Sequence, residues 1–447
     1  MTTKVGLVQL GCAKNQVDGE EMLGALAGTR DVQFVADKSD ADVLIVNTCG
    51  FINSAKEESI AAILDALKLK KRGQVGKVIV TGCLAQRYGD ELAREMPDVD
   101  AFLGIESAPQ VSNVVFGALP PSRNLVQNVH DKYPLIPPVR LRATATPWTA
   151  YLKISEGCDH TCTFCAIPGI RGKHRSKSME RLVREATDLA NTGAVELNLV
   201  AQDTTAYGMD LYGRLALPEL LRKLADVPGI QWLRLLYCYP TMVRQPLIDA
   251  IVELPQVIPY IDMPLQHGDD EMLSRMKRGG GVDQYRRLFD KMRASIPDLV
   301  LRTTFLVGFP GETEGHMSNL LKFIEDVRFD RVGVFTYSSE EGTPAHDMPG
   351  HVPARIMRER RAAVMAAQQG ISLQRNEEWV GREIDVLVER AHDGEFFGRS
   401  HRDAPEIDGE VIVAGSSPLG AMVKARVISA EPYDLRAVAV PLPQPLF

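Results

Sequence analysis

The sequence lacks a hydrophobic stretch long enough to cross a membrane. The chain has 447 residues, of which 45% are hydrophobic and 24% charged, and its longest apolar runs have the length of β-strands. The first residues lead into a strand-like segment without an apolar signal core, so export is not expected. We therefore expect a cytoplasmic protein of two or three domains with no membrane partner.

Disulfide bonds are not expected either. The chain contains seven cysteines, an odd number, and thiols stay reduced in the cytosol. The cysteines are therefore candidates for metal ligands or catalytic groups.

An excess of basic residues is also missing. The formal net charge is −7, and most of it lies in residues 376–447, which hold 13 acidic and 7 basic residues. Nucleic-acid binding depends on Lys and Arg that neutralise phosphates, so we predict no dedicated nucleic-acid binding. The acidic segment is expected to attract a basic partner, although an acidic surface that only aids solubility is the alternative.

Short apolar runs alternate with helical patterns over residues 1–118. This alternation predicts a doubly wound parallel α/β domain with helices on both faces of the sheet. Helical patterns such as Ser54–Lys71 and Gln86–Glu95 separate the strands. The strand candidates are Val5–Leu10, Val32–Val35, Val43–Val46, Lys77–Val80 and Ala101–Leu103.

Residues 119–147 contain six prolines, which predicts an extended linker to a second α/β domain, residues 148–375. Six strand–helix units in that domain predict a partial (β/α)6 barrel, incomplete relative to the usual eight units. Its strand candidates are Tyr151–Ser155, Val195–Val200, Trp232–Leu236, Ile258–Met263, Leu301–Val307 and Val332–Tyr337.

The last part of the chain changes to short strands. A long helical pattern over residues 353–378 precedes them. In residues 376–447, five strand patterns with Gly- and Asp-containing turns predict a small all-β barrel.

Three cysteines stand close together just beyond a predicted strand. Cys158, Cys162 and Cys165 have the spacing C-x3-C-x2-C, which suits three corners of a cubane iron–sulfur cluster. The fourth iron would then be open to a small molecule. A zinc site completed by His160 or His174 is the alternative, but structural zinc uses four ligands in paired short spacings.

Three further cysteines, Cys12, Cys49 and Cys83, are far apart in sequence. Each follows an apolar strand by a residue or two, in a predicted loop. The carboxyl ends of parallel strands share one edge of a sheet, so the three could meet at a second three-ligand cluster. Three buried small side chains are the alternative. Cys238, near the end of a strand, is interpreted as a packed core cysteine.

In chain order, Cys12, Cys49 and Cys83 are the first triplet, and Cys158, Cys162 and Cys165 are the second. The spacing of the second triplet, with Phe164 before its last cysteine, resembles the signature of the radical S-adenosylmethionine (SAM) superfamily. The whole chain resembles the methylthiotransferases, which consist of an N-terminal three-cysteine domain, a radical SAM core and a C-terminal TRAM barrel. The resemblance implies two [4Fe–4S] clusters: one binds SAM at its open iron, and the other carries the sulfur to be transferred. An external electron donor would supply the electron that releases a 5′-deoxyadenosyl radical, and a second SAM would supply the methyl group.

Several residues near strand ends of the central domain are candidates for contacts with SAM or substrate. Gly308 belongs to the glycine-rich turn Leu306–Glu312, whose backbone could approach the cofactor. For the polar candidates, ordinary caps of a barrel are the alternative. The candidates are Phe164, Gln202, Gln266, Arg302 and Gly308.

Basic residues cluster in residues 171–177, directly after the second triplet. They could hold a carboxylate, a cofactor or an RNA phosphate near the site. A solvated loop is the alternative.

Two branches of the methylthiotransferases differ in substrate, one modifying a tRNA adenosine and the other, the RimO type, an aspartate β-carbon in the twelfth protein of the small ribosomal subunit. Local motifs resemble the second branch, although Ala13 and Gly19 replace a usual proline and serine. We therefore predict that a ribosomal protein is the substrate and that the chain is a monomer. A tRNA-modifying enzyme and a non-catalytic electron carrier are the alternatives. The motifs are Gly11–Asp18, Asn47–Ile52, Asp262–His267 and Arg302–Thr304.

Overall fold

The computed structural model describes residues 2–28, 31–106, 108–117, 122–129, 140–142 and 146–440. Three successive parts of the chain each build one main sheet. The predicted linker, residues 119–147, lies largely outside the described residues. Within the described ranges, no helix is both long enough and apolar enough to cross a membrane.

The first part is a five-stranded parallel sheet with helices on both faces, which confirms the predicted doubly wound domain. Its strands are β1 (Thr3–Gln9), β2 (Val32–Phe34), β3 (Val43–Thr48), β4 (Lys77–Gly82) and β5 (Ala101–Phe102), in the spatial order β2-β1-β3-β4-β5. Its helices are α1 (Ala13–Ala27), α2 (Asn53–Lys71), α3 (Cys83–Glu95) and α4 (Ala108–Phe116).

Alternate residues of the central strands explain the two helical layers. On β3, Leu44 and Val46 pack with residues of α2 and α3, while Val43 and Ile45 pack with residues of α1 and α4. Both faces are therefore buried, as expected for an all-parallel sheet.

The second part is an open sheet of six parallel strands, which confirms the predicted partial barrel. The spatial order is β13-β12-β11-β10-β9-β6. Its strands, with the short antiparallel pair β7–β8, are β6 (Thr149–Lys153), β7 (Ser155–Glu156), β8 (Arg175–Ser176), β9 (Glu196–Val200), β10 (Trp232–Leu235), β11 (Val257–Asp262), β12 (Val300–Val307) and β13 (Arg331–Thr336).

Helices cover one face of this sheet, where Leu197, Leu233 and Leu301 lie in a large apolar core. A 24-residue helix, α13, confirms the pattern predicted over residues 353–378 and leads to the third part. The helices are α5 (Ile167–Arg171), α6 (Met179–Asn191), α7 (Met209–Tyr212), α8 (Leu217–Ala225), α9 (Gln245–Glu253), α10 (Asp270–Arg275), α11 (Val282–Ser295), α12 (Glu314–Val327) and α13 (Ala354–Glu377).

The third part is a closed five-stranded barrel, as predicted. Val386, Val413 and Val427 lie in its core, and Trp379 packs against it. Its strands are β14 (Glu383–His392), β15 (Glu395–Arg399), β16 (Val411–Ala414), β17 (Met422–Ala430) and β18 (Leu435–Ala439).

The end of β15 and the segment that follows it pack against the face of the six-stranded sheet opposite the helices. The fully buried Glu196 on β9 binds Arg399 of the small barrel at 2.5 Å and Arg234 on β10 at 2.9 Å. Arg234 also donates to the carbonyl oxygens of Ser400 and His401 at 3.2 and 2.9 Å. Tyr260 on β11 donates to Asp408 at 2.6 Å. A chain of buried polar contacts thus fixes the small barrel to the sheet.

Replacing Glu196 with Gln should lower the free energy of unfolding by about 3–5 kcal/mol, because the buried Arg234 loses its counter-charge and Arg399 keeps only its ion pair with Glu389. The measurement is a denaturant titration of the full chain. Glu219→Gln is the matched control, since the side chains of Glu219 and its partner Arg214 are 43% and 57% exposed, and it should change stability little. Equal effects of the two substitutions would contradict this account.

Candidate active site

The first cysteine triplet gathers at one edge of the parallel sheet. Cys12 lies immediately before α1, Cys49 follows β3, and Cys83 is the first residue of α3. The strands β1, β3 and β4 are neighbours, so their carboxyl ends bring the three residues together. The prediction that all three lie in loops is wrong for Cys83, because α3 begins directly after Gly82 and not near Gln86.

Two glycines allow the three strand ends to approach closely. A Cβ atom on Gly11, whose φ is +87°, would lie 2.9 Å from the Cβ of Cys49. A Cβ atom on Gly50 would lie 2.8 Å from the Cα of Leu84, the neighbour of Cys83. Any larger residue at either position would push one of the cysteines away from the others.

The charge environment differs among these thiols. Cys12 is exposed at the surface, and although the surrounding protein partly desolvates its thiol, which would raise the pKa, the positive charges of Lys14 and Arg171 lower that pKa below the usual thiol value. Burial raises the pKa of Cys83 to about 12, against the opposing charge of Arg171. A thiol at a helix N-terminus beside a cation is a favourable thiolate ligand, and Cys12 has this arrangement. Cys83 also lies at a helix N-terminus beside a cation, but its buried thiol must lose a proton when it binds a ligand.

The second triplet lies in the loop between β7 and α5. Cys158, Cys162 and Cys165 all line one cavity of about 650 Å³. Burial raises the pKa of Cys158 to about 11 and that of Cys165 to about 12, so ligand binding must displace protons from these thiols. Three thiols around one open cavity fit a cubane that leaves a corner free for a small molecule.

The zinc alternative finds no support. His160 bonds to Asp203 at 2.7 Å and stacks on Tyr239, and His174 bonds to Ser176 at 3.2 Å. In the ranges that the structure describes, no three His, Cys, Asp or Glu side chains lie close enough to bind a single metal ion.

The basic segment, residues 171–177, is largely buried at the boundary between the first two domains, so the solvated-loop alternative is wrong. Arg171, Arg175 and Lys177 are at most 3% exposed. Each binds an acidic residue of the first domain: Arg171 binds Asp18, Arg175 binds Glu106 and Lys177 binds Glu21. The segment therefore does hold carboxylates, and these belong to the protein itself.

The same boundary reaches the cavity of the second triplet. Arg87 of α3 lines that cavity and binds Glu340 at 2.8 Å, and Lys56 of α2 binds the same carboxylate at 2.8 Å. The cavity is therefore formed by both domains.

Two of the predicted SAM contacts lie close to the second triplet. Phe164 packs with Met276, Phe309 and Tyr337, which fixes the loop against the end of the sheet. Gln202, two residues past β9, donates from Nε2 to Glu156 at 2.7 Å, and its buried Oε1 has no hydrogen-bond partner. Both roles in cofactor binding stay predictions.

The other polar candidates have different surroundings. Gln266 has a left-handed backbone, with φ +78°, in a bridge beside β12. A non-glycine residue in this conformation is strained, which is typical of binding sites. Arg302 binds Asp262 at 2.8 Å and Asp408 of the small barrel at 3.4 Å, so its guanidinium group already has two protein partners.

Gly308 has a packing role in addition to its predicted one. Its φ is +80°, and a Cβ atom there would clash with Met357 of α13. Its N–H donates to both oxygens of Glu312 at 2.9 Å, and Glu312 also binds Arg360 at 2.8 Å. The glycine-rich turn is therefore stabilised by α13, and contact with SAM stays a prediction.

Sequence reasoning missed Arg278. Its Nη1 donates to the Sγ of Cys162 at 3.7 Å, and its guanidinium group lies 4.0 Å from the ring centre of Tyr239. Arg278 is more than 100 positions away in the chain from the triplet, and no spacing or motif in the sequence links the two.

Comparison with family models gives the class of the protein. Three models match in order along the chain: the uncharacterized protein family UPF0004 at residues 4–104, the Radical SAM superfamily at residues 152–324 and the TRAM domain at residues 380–440. Together with the second triplet, these matches define a radical SAM protein with an added N-terminal domain and a TRAM barrel.

Curated relatives match almost the full length. The ribosomal protein uS12 methylthiotransferase RimO of Desulforamulus reducens is 48% identical, over 96% of this chain and 98% of the relative. The enzyme of the same name from Heliobacterium modesticaldum is 45% identical, over 99% and 96%. The chain therefore belongs to the RimO family of ribosomal protein uS12 methylthiotransferases.

Solved structures share the fold at low sequence identity. The radical S-adenosylmethionine methyltransferase TsrM from Kitasatospora setae has a TM-score of 0.56 and 13% identity, covering 83% of this chain and 89% of TsrM. The cobalamin-dependent S-adenosylmethionine radical enzyme OxsB has a TM-score of 0.53 and 13% identity, covering 83% and 56%. These matches support the fold alone.

After anaerobic reconstitution, the chain should carry about 8 iron atoms, and Cys12→Ala or Cys158→Ala should each reduce this to about 4. Cys158→Ala should also abolish cleavage of SAM to 5′-deoxyadenosine, whereas Cys12→Ala should retain it. Iron analysis and chromatography of the nucleoside products measure these outcomes.

Cys238→Ala is the matched control, because Cys238 is 1% exposed within the apolar core and should not affect iron content. About 4 iron atoms in the unmodified chain, unchanged by Cys12→Ala, would contradict a cluster at the first triplet.

Proposed function

We propose that this protein inserts a methylthio group at the β-carbon of an aspartate in ribosomal protein uS12. One observation carries the proposal: two three-cysteine sites lie on either side of one domain boundary, in a chain that matches RimO enzymes over nearly its whole length. A single cluster would suffice for radical chemistry. The first triplet, Cys12, Cys49 and Cys83, provides the place from which sulfur is transferred.

The chain holds its cofactors with the six cysteines of the two triplets. When bound, the clusters and SAM would supply three things: a 5′-deoxyadenosyl radical, a sulfur atom and a methyl group. The radical would remove a hydrogen atom from the substrate. Cys158, Cys162 and Cys165 leave one corner of their cluster to SAM, and an external donor provides the electron. The cavity that these three cysteines line is open to solvent at Lys173, which gives the cofactor and substrate a route of entry.

Residues around the carboxyl ends of β9 to β12 orient SAM and the substrate. Gln202 has a buried amide oxygen without a partner, which suits a donor group of a bound ligand. Gln266 presents its side chain from a strained backbone, and Phe164 and the Gly308 turn form the apolar side of the site. Arg302 contributes by fixing Asp262 at the end of β11.

The TRAM barrel suits a basic protein better than an RNA. Its buried charges balance, since Arg399 and Arg402 are opposed by Asp403 and Asp408, so the acidic excess of this domain lies at its surface. Such a surface repels phosphates and attracts the basic proteins of the ribosome. This supports uS12 as the substrate over a tRNA adenosine.

The proposal is tested by offering the reconstituted enzyme small ribosomal subunits and, separately, tRNA. We expect mass spectrometry to find one added methylthio group on an aspartate of uS12 and none on tRNA. Substrate uS12 with that aspartate changed to alanine is the control and should stay unmodified. Methylthio groups on tRNA alone would refute the proposal, and a failure to cleave SAM would favour a non-catalytic carrier.

A further inference from the structure

Arg171 connects the two cysteine triplets. It is the last residue of α5, six positions after Cys165, and its side chain is 1% exposed. Its Nη2 donates to the Sγ of Cys83 in the first triplet at 3.2 Å. A residue from the helix that follows the second triplet therefore contacts a cysteine of the first.

Acidic residues hold this guanidinium group in place. Nη1 donates to Glu156 at 2.8 Å, and Nη2 donates to Asp18 at 3.0 Å. Lys153 binds both Glu156 and Asp18, and Gln202 donates to Glu156 at 2.7 Å. The two carboxylates, Asp18 and Glu156, balance the positive charges of Lys153 and Arg171. The charge of Arg171 is therefore compensated without its contact with Cys83. That contact uses the second N–H of Nη2, which the ion pairs leave available.

We propose that Arg171 is a positioning residue that would set the reduction potential of a cluster bound to the first triplet through its hydrogen bond to Cys83. The role of this cluster as the sulfur donor is taken from the proposed function, and the inference rests on it to that extent. A hydrogen bond from a cation to a ligand sulfur stabilises the more negative, reduced state of an iron–sulfur cluster. Burial strengthens the effect, since little water screens the charge.

The second triplet has its own arginine. Arg278 donates to Cys162 at 3.7 Å, and no hydrogen bond or ion pair joins it to the described residues of the first triplet. Each cluster therefore has a separate cation at one of its ligands. This arrangement gives a pair of matched variants, each expected to affect one cluster only.

The experiment measures the reduction potential of each cluster in the full-length chain by EPR-monitored titration. The cluster on the first triplet is observed alone after Cys158, Cys162 and Cys165 are changed to Ala, and the other after Cys12, Cys49 and Cys83 are changed. Arg171→Met should make the potential of the first cluster more negative and leave the second unchanged. Arg278→Met should make the potential of the second cluster more negative and leave the first unchanged.

A second readout uses the enzyme with both clusters. Arg171→Met should raise the ratio of 5′-deoxyadenosine to methylthiolated product by about 10- to 100-fold, the usual loss when a partner of a metal ligand is removed. Arg171→Lys keeps the positive charge but loses the planar set of N–H donors. Its product ratio should lie between those of the unmodified enzyme and Arg171→Met. Arg175→Met controls for loss of a buried ion pair at the same boundary, because Arg175 binds Glu106 at 2.6 Å, and it should change neither potential.

An unchanged potential in Arg171→Met with full iron content would overturn the inference, as would an equal shift in Arg175→Met. If Arg171→Met loses iron from the first triplet, the potential of the first cluster is measured in Arg171→Lys instead. An unchanged potential in that variant would likewise overturn the inference. A shifted potential in a chain that never modifies uS12 would leave this role of Arg171 standing and refute the proposed function instead.

Discussion

Four buried charges, Asp18, Lys153, Glu156 and Arg171, hold the first domain against the second. Their side chains are at most 5% exposed, so water does not replace a missing partner. Asp18 belongs to α1 and the other three to the second domain. Leaving a buried charge uncompensated costs about 3–5 kcal/mol, so a docking arrangement that separated these four charges would be disfavoured.

The docking arrangement also fixes the two triplets relative to each other, because the four charges lie close to the cysteines in the chain. Asp18 is six residues after Cys12, Glu156 two residues before Cys158, and Arg171 six residues after Cys165. Over such short spans, a helix or strand leaves little freedom between a charged residue and the ligand next to it. The interface between the domains and the geometry of the candidate site are therefore the same structural feature.

Local patterns were sufficient to predict much of this fold. The helix predicted at Ser54–Lys71 is observed at Asn53–Lys71, because its buried residues Ser59, Ile63 and Ala66 follow the helical period. The spacing of Cys158, Cys162 and Cys165 predicted that they share a site, and they line one cavity. In contrast, the burial of residues 171–177 was not predictable from the segment itself. It depends on acids far away in the chain, such as Asp18, 153 positions before Arg171. Arg302 and Gly308 show the same limit, since their partners Asp408 and Met357 belong to later elements.

The segment after β15 determines how far the TRAM barrel can be treated as a separate module. Arg399 and Asp408 bind Glu196 on β9 and Tyr260 on β11 across this contact. A five-stranded barrel of the same shape without these two residues would remove one of the guanidinium partners of the buried Glu196 and the acceptor of the buried Tyr260 hydroxyl. Domain exchange between relatives therefore requires that the binding residues on β9, β10 and β11 be transferred with the barrel. Recombination is expected to preserve the second and third domains as one inherited unit.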